Sequence, residues 1–311
     1  MRAEASAPSN IALIKYMGKS STAGNLPTNS SLSYAPEYLR TFVTIEKIDA
    51  TADYWEPLPG LPAITLGTVG LDKFLRHFGR LKDKWGVPGN YVLRSANNFP
   101  SDCGLASSAS SFAALTLATA RLAESHHGTI SADELSRESR QGSGSSCRSF
   151  FTPWALWRHE GAEPVNLKLR LEHAVLLIED GKKPVSTSDA HQRVASSLNF
   201  IGRADRANHR LNGLLYALEK PDWQEAFELC WAEFWDMHAL FETANPSFTY
   251  MKPETFAALE KLRGIWRSEG DGPLVTMDAG ANIHLFLRAD QVDKGREWVK
   301  GYRHLSSWMD R

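Results

Sequence analysis

Strand and helix signals that mix without strict β–α–β alternation predict an α+β fold for this chain of 311 residues. Three observations carry that reading. Short β-branched or apolar runs, such as Phe42-Val43-Thr44-Ile45, have the character of strands. Stretches of helical period, such as Leu71, Phe74, Leu75, Phe78, Leu81 and Trp85, have the character of amphipathic helices. The length suffices for a large core divided over two domains. We place them at 1–175 and 176–311, with the boundary somewhere in 165–185.

In chain order, Ile11-Ala12-Leu13-Ile14 reads as the first strand and Phe42–Ile45 as the next. The segment Gly24-Asn25-Leu26-Pro27-Thr28-Asn29 between them is punctuated as a loop. The Leu71–Trp85 helix stops at Gly86. Tyr91-Val92-Leu93-Arg94-Ser95 is a strand feeding a polar loop and then a helix with Phe112, Leu115, Ala118 and Leu122 on one face. Ala132 to Arg140 is helical and ends at Gly142-Ser143-Gly144. Leu176-Leu177-Ile178 reads as a buried strand, followed by long helices over Trp223 to Leu240 and Pro253 to Trp266. Val275-Thr276-Met277-Asp278 runs into a Gly turn, and Ile283 to Leu287 is a strand. The last helix carries Val292, Trp298, Val299 and Tyr302.

Composition excludes several classes. A net charge of −1 provides no global field for nucleic acid or an anionic membrane. No apolar run reaches the length of a membrane span, and Met1-Arg2-Ala3-Glu4-Ala5 lacks the apolar core of a secretory signal. Three cysteines, Cys103, Cys147 and Cys230, have no metal or redox spacing and point to reduced thiols in the cytoplasm.

Gly18-Lys19-Ser20 invites a Walker A reading, which fails because Leu13 stands where the first glycine is needed. Four polar islands remain. Lys15 and Lys19 sit after the first strand, where two lysines could meet one polyanion, although solvated surface lysines are the commoner case. Gly104-Leu105-Ala106-Ser107-Ser108 opens a helix, and Ser107 or Ser108 is expected to cap it. Such a helix start suits an anionic phosphate, and equally suits an ordinary core helix. Gly142-Ser143-Gly144-Ser145-Ser146-Cys147-Arg148 offers close backbone approach, hydroxyl donors and an arginine expected to grip phosphate bidentately. Asp278-Ala279-Gly280 places a carboxylate at a strand end, as a base or a plain turn residue. Together the islands suggest a phosphorylated substrate and a nucleotide.

In their order and wording these islands resemble the diphosphomevalonate decarboxylase family of the GHMP kinase superfamily. The family pattern N-I-A-x-x-K-Y-W-G-K followed by N-L-P-T-N-S-S-L-S is matched by Asn10 to Lys19 and Asn25 to Ser33. Its loop N-N-F-P-T-x-x-G-L-A-S-S-A is matched from Asn97 to Ala109, its G-S-G-S-A-C-R-S from Gly142 to Ser149, and its D-A-G-P-N from Asp278 to Asn282.

The resemblance implies a two-domain GHMP kinase-like fold with the active site in the inter-domain cleft. It implies Asp278 and Lys15 as catalytic residues. Tyr16, Lys19, Ser143, Ser145 and Arg148 would bind substrate, and Asn98, Gly104, Ala106, Ser107 and Ser108 would bind ATP. The implied reaction converts mevalonate 5-diphosphate, ATP and Mg²⁺-dependent, to isopentenyl diphosphate, ADP, phosphate and CO₂. A homodimer is implied as well, with no nucleic-acid or membrane partner; the residues identify no metal ligand. Alternatives are a monophosphate-specific decarboxylase, a mevalonate-type kinase and a non-catalytic metabolite-binding relative.

The chain departs from the pattern in places. Met17 replaces Trp, Ser146 replaces Ala and Ala281 replaces Pro. Ser101-Asp102-Cys103 replaces a Thr and two small residues, with Asp102 either a Mg²⁺ ligand or solvent-facing. A Ser-rich segment ends in Ala190-His191 where the family has Gly-Met.

Overall fold

The computed structural model describes residues 1–309 apart from Thr22, Ala63, Thr65, Ser101, Asp102, Cys103, Lys182 and the side chain of His126. The expectations placed on Asp102 and Cys103 therefore lie outside the described residues.

Along the chain run β1 (Arg2–Pro8), β2 (Ile11–Ile14), β3 (Lys19–Ser21), β4 (Leu26–Pro27), β5 (Ser31–Tyr34), β6 (Arg40–Ile48) and β7 (Tyr54–Pro57). Then come α1 (Thr68–Trp85), β8 (Asn90–Asn97), α2 (Ser107–His127), α3 (Ala132–Gly142), β9 (Trp154–Arg158), β10 (Gly161–Pro164) and β11 (Glu172–Leu176). The C-terminal part holds α4 (Thr187–Arg193), α5 (Arg203–Glu219), α6 (Trp223–Glu242), α7 (Pro253–Glu269), β12 (Leu274–Thr276), β13 (Ile283–Leu287), α8 (Val292–Trp298) and β14 (His304–Ser306). The strands form sheets in the orders β1-β6-β8-β7, β10-β9-β5-β2 and β12-β13-β11-β14, with a β3-β4 ribbon. All pairings are antiparallel except β7 with β8.

The first sheet packs on α1 and α2. The periodic stripe of α1 buries Phe74, Phe78, Leu81 and Trp85, and Gly86 ends the helix in the left-handed conformation at φ 65°. Helix α2 brings alanines, Ala109, Ala113, Ala114 and Ala118, which let its backbone approach the sheet closely. The second and third sheets share one core with the long helices. Ile11, Leu32 and Trp154 meet Leu176, Leu285 and Phe286, and Leu214, Phe227 and Leu262 close over them. Each fully buried Leu, Ile or Phe contributes on the order of 1.5–3 kcal/mol. Residues on both sides of the 175/176 division thus pack together, and β11 runs across it.

Three local expectations need correction. The strand expected over Leu176–Ile178 ends at Leu176. Beyond it, the Asn282 side-chain oxygen accepts the N–H groups of Ile178 (2.7 Å) and Glu179 (3.0 Å), so a side chain replaces the ladder. Neither Ser107 nor Ser108 caps α2: Ala106 stands at the cap at φ 53°, and both serines lie inside the first turn. Val299 stands at the C-terminal cap of α8, and Tyr302 lies past the helix end, after the chain has turned.

Candidate active site

Two strand ends set the centre of the site. Thr276 of β12 donates its hydroxyl to the Ala12 carbonyl of β2 at 3.2 Å, which aligns the two chain segments side by side. Lys15 follows β2, Asp278 follows β12 by one residue more, and their side chains meet at 2.7 Å between Nζ and Oδ1. The Lys15 side chain is 2% exposed and that of Asp278 20%. The backbone is fixed on both sides. The Lys15 N–H donates to Glu233 Oε1 at 2.9 Å, and Asn29 Nδ2 donates to the Lys15 carbonyl at 2.9 Å. His238 Nε2 lies 3.2 Å from the Asp278 carbonyl, and burial pushes its pKa down to about 3, so it donates as a neutral ring.

Burial alone would raise the Asp278 pKa, but the Lys15 ammonium and its hydrogen bond hold it below the ordinary carboxylate value. Burial lowers the Lys15 pKa even against that attraction. Asp278 Oδ2 makes no hydrogen bond among the described residues. The pair therefore presents an ionised carboxylate with one acceptor oxygen open, beside a cation held on the other.

The second island packs against this turn. Gly104 has φ 87°, and a Cβ there would lie 3.2 Å from the Gly280 Cα. His284 Nε2 donates to the Gly104 carbonyl (3.0 Å), and Ser9 Oγ to the Leu105 carbonyl (2.6 Å). The first turn of α2, with the positive end of its dipole, is thereby held next to Asp278. Gly104→Ala is expected to cost about 1–3 kcal/mol of stability, from strain and the Gly280 contact, and to weaken ATP binding in parallel. A melt and a nucleotide titration check both.

The third island is a tight turn over Gly144–Phe150, and Ser108 Oγ donates to Ser143 Oγ at 3.1 Å to link it with α2. Arg148 corrects the expected open fork. Its Nε donates to Asn10 Oδ1 (3.0 Å) and its Nη1 to Ser31 Oγ (2.7 Å), with the residue 3% exposed. Only Nη2 has no partner among the described residues. The first island completes the ring. Tyr16 packs between Trp157 (centroids 4.6 Å) and His191 (4.3 Å). A Cβ on Gly144 would meet Tyr16 Cε1 at 2.8 Å, so the turn and the ring need glycine there. Lys19 Nζ donates to Asn25 Oδ1 at 2.8 Å.

These residues line one cavity of about 160 Å³. It brings together Lys15, Tyr16, Lys19, Gly104, Ala106, Ser107, Ser108, Ser143, Ser145, Arg148 and Asp278. Asn98 is not among them: its amide bonds the backbone of Arg40 (2.8 Å) and Tyr38 (2.7 Å) at the surface. Among the described residues the lining holds five basic side chains, Lys15, Lys19, Lys73, Lys183 and Arg148, against one carboxylate, Asp278. For a chain of net charge −1 this is a local concentration suited to polyanions. Lys73 and Asn10 also line the cavity and carried no assigned role from sequence. Lys73 lies on the polar side of α1, where nothing in a helical pattern separates it from a solvated lysine. No group of three or more His, Cys, Asp or Glu able to hold a metal occurs among the described residues.

The model of the diphosphomevalonate decarboxylase-like N-terminal domain matches residues 7–165. The chain belongs to the diphosphomevalonate decarboxylase family. A diphosphomevalonate decarboxylase of Schizosaccharomyces pombe is 32% identical over 308 residues, covering 91% of this chain and 77% of the relative. The crystal structure of a mevalonate diphosphate decarboxylase from Legionella pneumophila superposes with a TM-score of 0.92 at 43% identity, covering 98% of this chain and 100% of the other. A structure described as MDDEF in complex with MVAPP, AMPPCP and magnesium superposes with a TM-score of 0.88 at 29% identity, over 98% and 96% of the two chains. The α+β, GHMP kinase-like fold expected from sequence is therefore correct.

Departures from the family pattern have local accounts. Met17 is 2% exposed and packs with Val185, Ala190 and Met237. The hydroxyl added by Ser146 is satisfied by the Ser143 carbonyl (2.6 Å) and by Ser139 Oγ (2.6 Å). Ala281 has its carbonyl bonded by Thr255 Oγ1 at 3.1 Å. No helix among the described residues is long and apolar enough to cross a membrane.

Proposed function

We propose that this chain catalyses the ATP-dependent decarboxylation of mevalonate 5-diphosphate to isopentenyl diphosphate, with ADP, phosphate and CO₂. The observation that carries the reading is one carboxylate–lysine pair inside a cavity whose lining also holds four further basic side chains, serine hydroxyls and a helix N-terminus. In this reading Asp278 Oδ2 accepts the hydrogen bond of the substrate's tertiary 3-hydroxyl and aims its oxygen at the ATP γ-phosphorus. The new O–P bond forms as the bond to ADP breaks, and the hydroxyl proton passes to the carboxylate. The C3–O bond then breaks and phosphate leaves. The carboxyl carbon departs as CO₂, and its bonding pair becomes the double bond. Lys15 offsets negative charge at the transferring group. Tyr16, Lys19, Ser143, Ser145 and Arg148 hold the acid and its phosphates. Gly104, Ala106, Ser107 and Ser108 receive the nucleotide phosphates.

With no acidic cluster among the described residues, Mg²⁺ fits this site as an ion carried largely on nucleotide phosphates, with the Ser107 and Ser108 hydroxyls as protein donors. When bound it would neutralise and orient phosphoryl oxygens. The reading extends to a homodimeric cytoplasmic enzyme; buried, unpaired Cys147 and Cys230 agree with a reducing compartment.

Steady-state turnover of the 5-diphosphate, the 5-monophosphate and unphosphorylated mevalonate tests the substrate. The 5-diphosphate should have the highest kcat/KM, and equal or better turnover of the monophosphate would overturn the assignment. Arg148→Ala should raise KM for the phosphorylated acid about 10- to 100-fold, the scale of one lost charge-assisted contact, while KM for ATP stays near wild type. An unchanged KM in folded protein would make Arg148 a structural residue only.

A further inference from the structure

We propose that His191 is a specificity-determining residue whose Nε2–H donates a hydrogen bond to the phosphoryl tail of the substrate. The inference rests on the functional reading above and names a contact within it. His191 lies in α4, whose start is fixed by Ser186 accepting the Asp189 N–H at 3.1 Å and by Tyr250 donating to the Val185 carbonyl at 2.9 Å. Ala190 is fully buried beside Met17, so the helix cannot slide away from the first island.

The tautomer follows from one contact. The Gly18 backbone N–H donates to His191 Nδ1 at 3.0 Å, so Nδ1 is an acceptor without a proton. Gly18 has φ 94°, and a Cβ there would lie 2.6 Å from the Phe200 ring, so the turn that aims this N–H needs glycine. The neutral ring then carries its hydrogen on Nε2. The ring lies tilted at 40° against Tyr16 with centroids 4.3 Å apart, and is only 8% exposed, yet Nε2 has no partner among the described residues. The residue lines the cavity, where Nε2 remains accessible. A donor that faces the cavity without a protein partner is open to water or to an anionic ligand that can accept its hydrogen.

Position selects the ligand. Lys19 and Lys73 are the cations whose charges act on His191. Asp278 and Lys15 occupy the reacting centre. A substrate with its hydroxyl at Asp278 extends its anionic tail toward Tyr16, Lys19 and His191. A histidine donates there without adding another fixed cation.

Two variants divide the two ring nitrogens. His191→Asn keeps an acceptor where Nδ1 stands and removes the Nε2 donor. His191→Gln keeps an N–H where Nε2 stands and removes the acceptor. Calorimetric titration with mevalonate 5-diphosphate should show about tenfold or weaker binding for His191→Asn and near-normal binding for His191→Gln. ATP affinity and melting temperature should change little in either. Normal binding by His191→Asn with weakened binding by His191→Gln would overturn the proposal, leaving His191 only its Gly18 contact. Equal loss for ATP would assign the donor to the nucleotide and overturn it too. If wild type itself fails to bind the 5-diphosphate, the functional reading falls; if wild type binds and His191→Asn is unaffected, this inference alone falls. Nitrogen NMR of wild-type imidazoles removes dependence on variant folding: the Nε2 resonance of His191 should move on adding substrate. A static Nε2 resonance would overturn the assignment.

Discussion

Asp278→Asn is expected to lower single-turnover decarboxylation by roughly 10²–10⁴-fold while ATP and substrate still bind. Asparagine keeps the size and one acceptor oxygen but cannot take the hydroxyl proton or balance Lys15. The 2.7 Å Lys15 contact is charge-assisted, and the lysine is almost fully enclosed. The variant should therefore also lose on the order of 1–3 kcal/mol of stability. Measuring rate and melt on one sample, well below the melting temperature, separates these effects. A rate within a few-fold of wild type would return Asp278 to the role of a turn residue. Charge complementation by Lys15 cannot rescue the variant, because the missing function is basicity and not attraction.

The second large effect is on stability and comes from Glu233, which is fully buried in α6. Its Oε1 accepts the Lys15 N–H at 2.9 Å, and its carboxylate also pairs with Arg203 and with Arg210 Nη1 at 3.0 Å. Arg203 is 1% exposed. Glu233→Leu would strand that guanidinium with Asp236 as its remaining carboxylate, at 3.3 Å. Removing one partner of a buried ion pair costs about 3–5 kcal/mol, a large share of a typical domain's stability. Glu233→Gln should cost less, since it keeps an acceptor for Lys15. Urea denaturation at constant m-value measures both, and a loss under about 1 kcal/mol for Glu233→Leu would show that the network contributes specificity without stability.

Neither Glu233 nor Arg203 drew notice in the sequence, and the reason is physical. Each lies on a helix where a charged residue ordinarily faces water, and only the packing of α5 against α6 and β2 turns both inward. Local signals fared better where one residue sufficed. Gly86 ended α1, and the Phe74–Trp85 stripe marked its buried face. The four islands were legible as motifs, but their convergence needed the β2–β12 alignment, a contact between residues 264 apart. A sequence shows the Arg148 guanidinium as an open anion fork because it does not show its partners Asn10 and Ser31. The α2 cap differs from its sequence expectation for a related reason. Serine is the ordinary cap, and only the fold reveals that the chain enters this helix through left-handed Ala106. Asn98 belongs to a motif beside the phosphate loop, yet its amide holds the neighbouring backbone outside the cavity. The strand β1 escaped notice because its alanines alternate with polar residues and give a weak apolar signal.

The central claim is that one site couples phosphoryl transfer to loss of carbon. Rapid-quench single turnover with carboxyl-labelled mevalonate 5-diphosphate and ATP measures it directly, following ADP, phosphate and labelled CO₂ together. The account predicts one CO₂ and one phosphate for each ADP, all three suppressed together in Asp278→Asn. ADP accumulating with a stable phosphorylated acid and no CO₂ would contradict it.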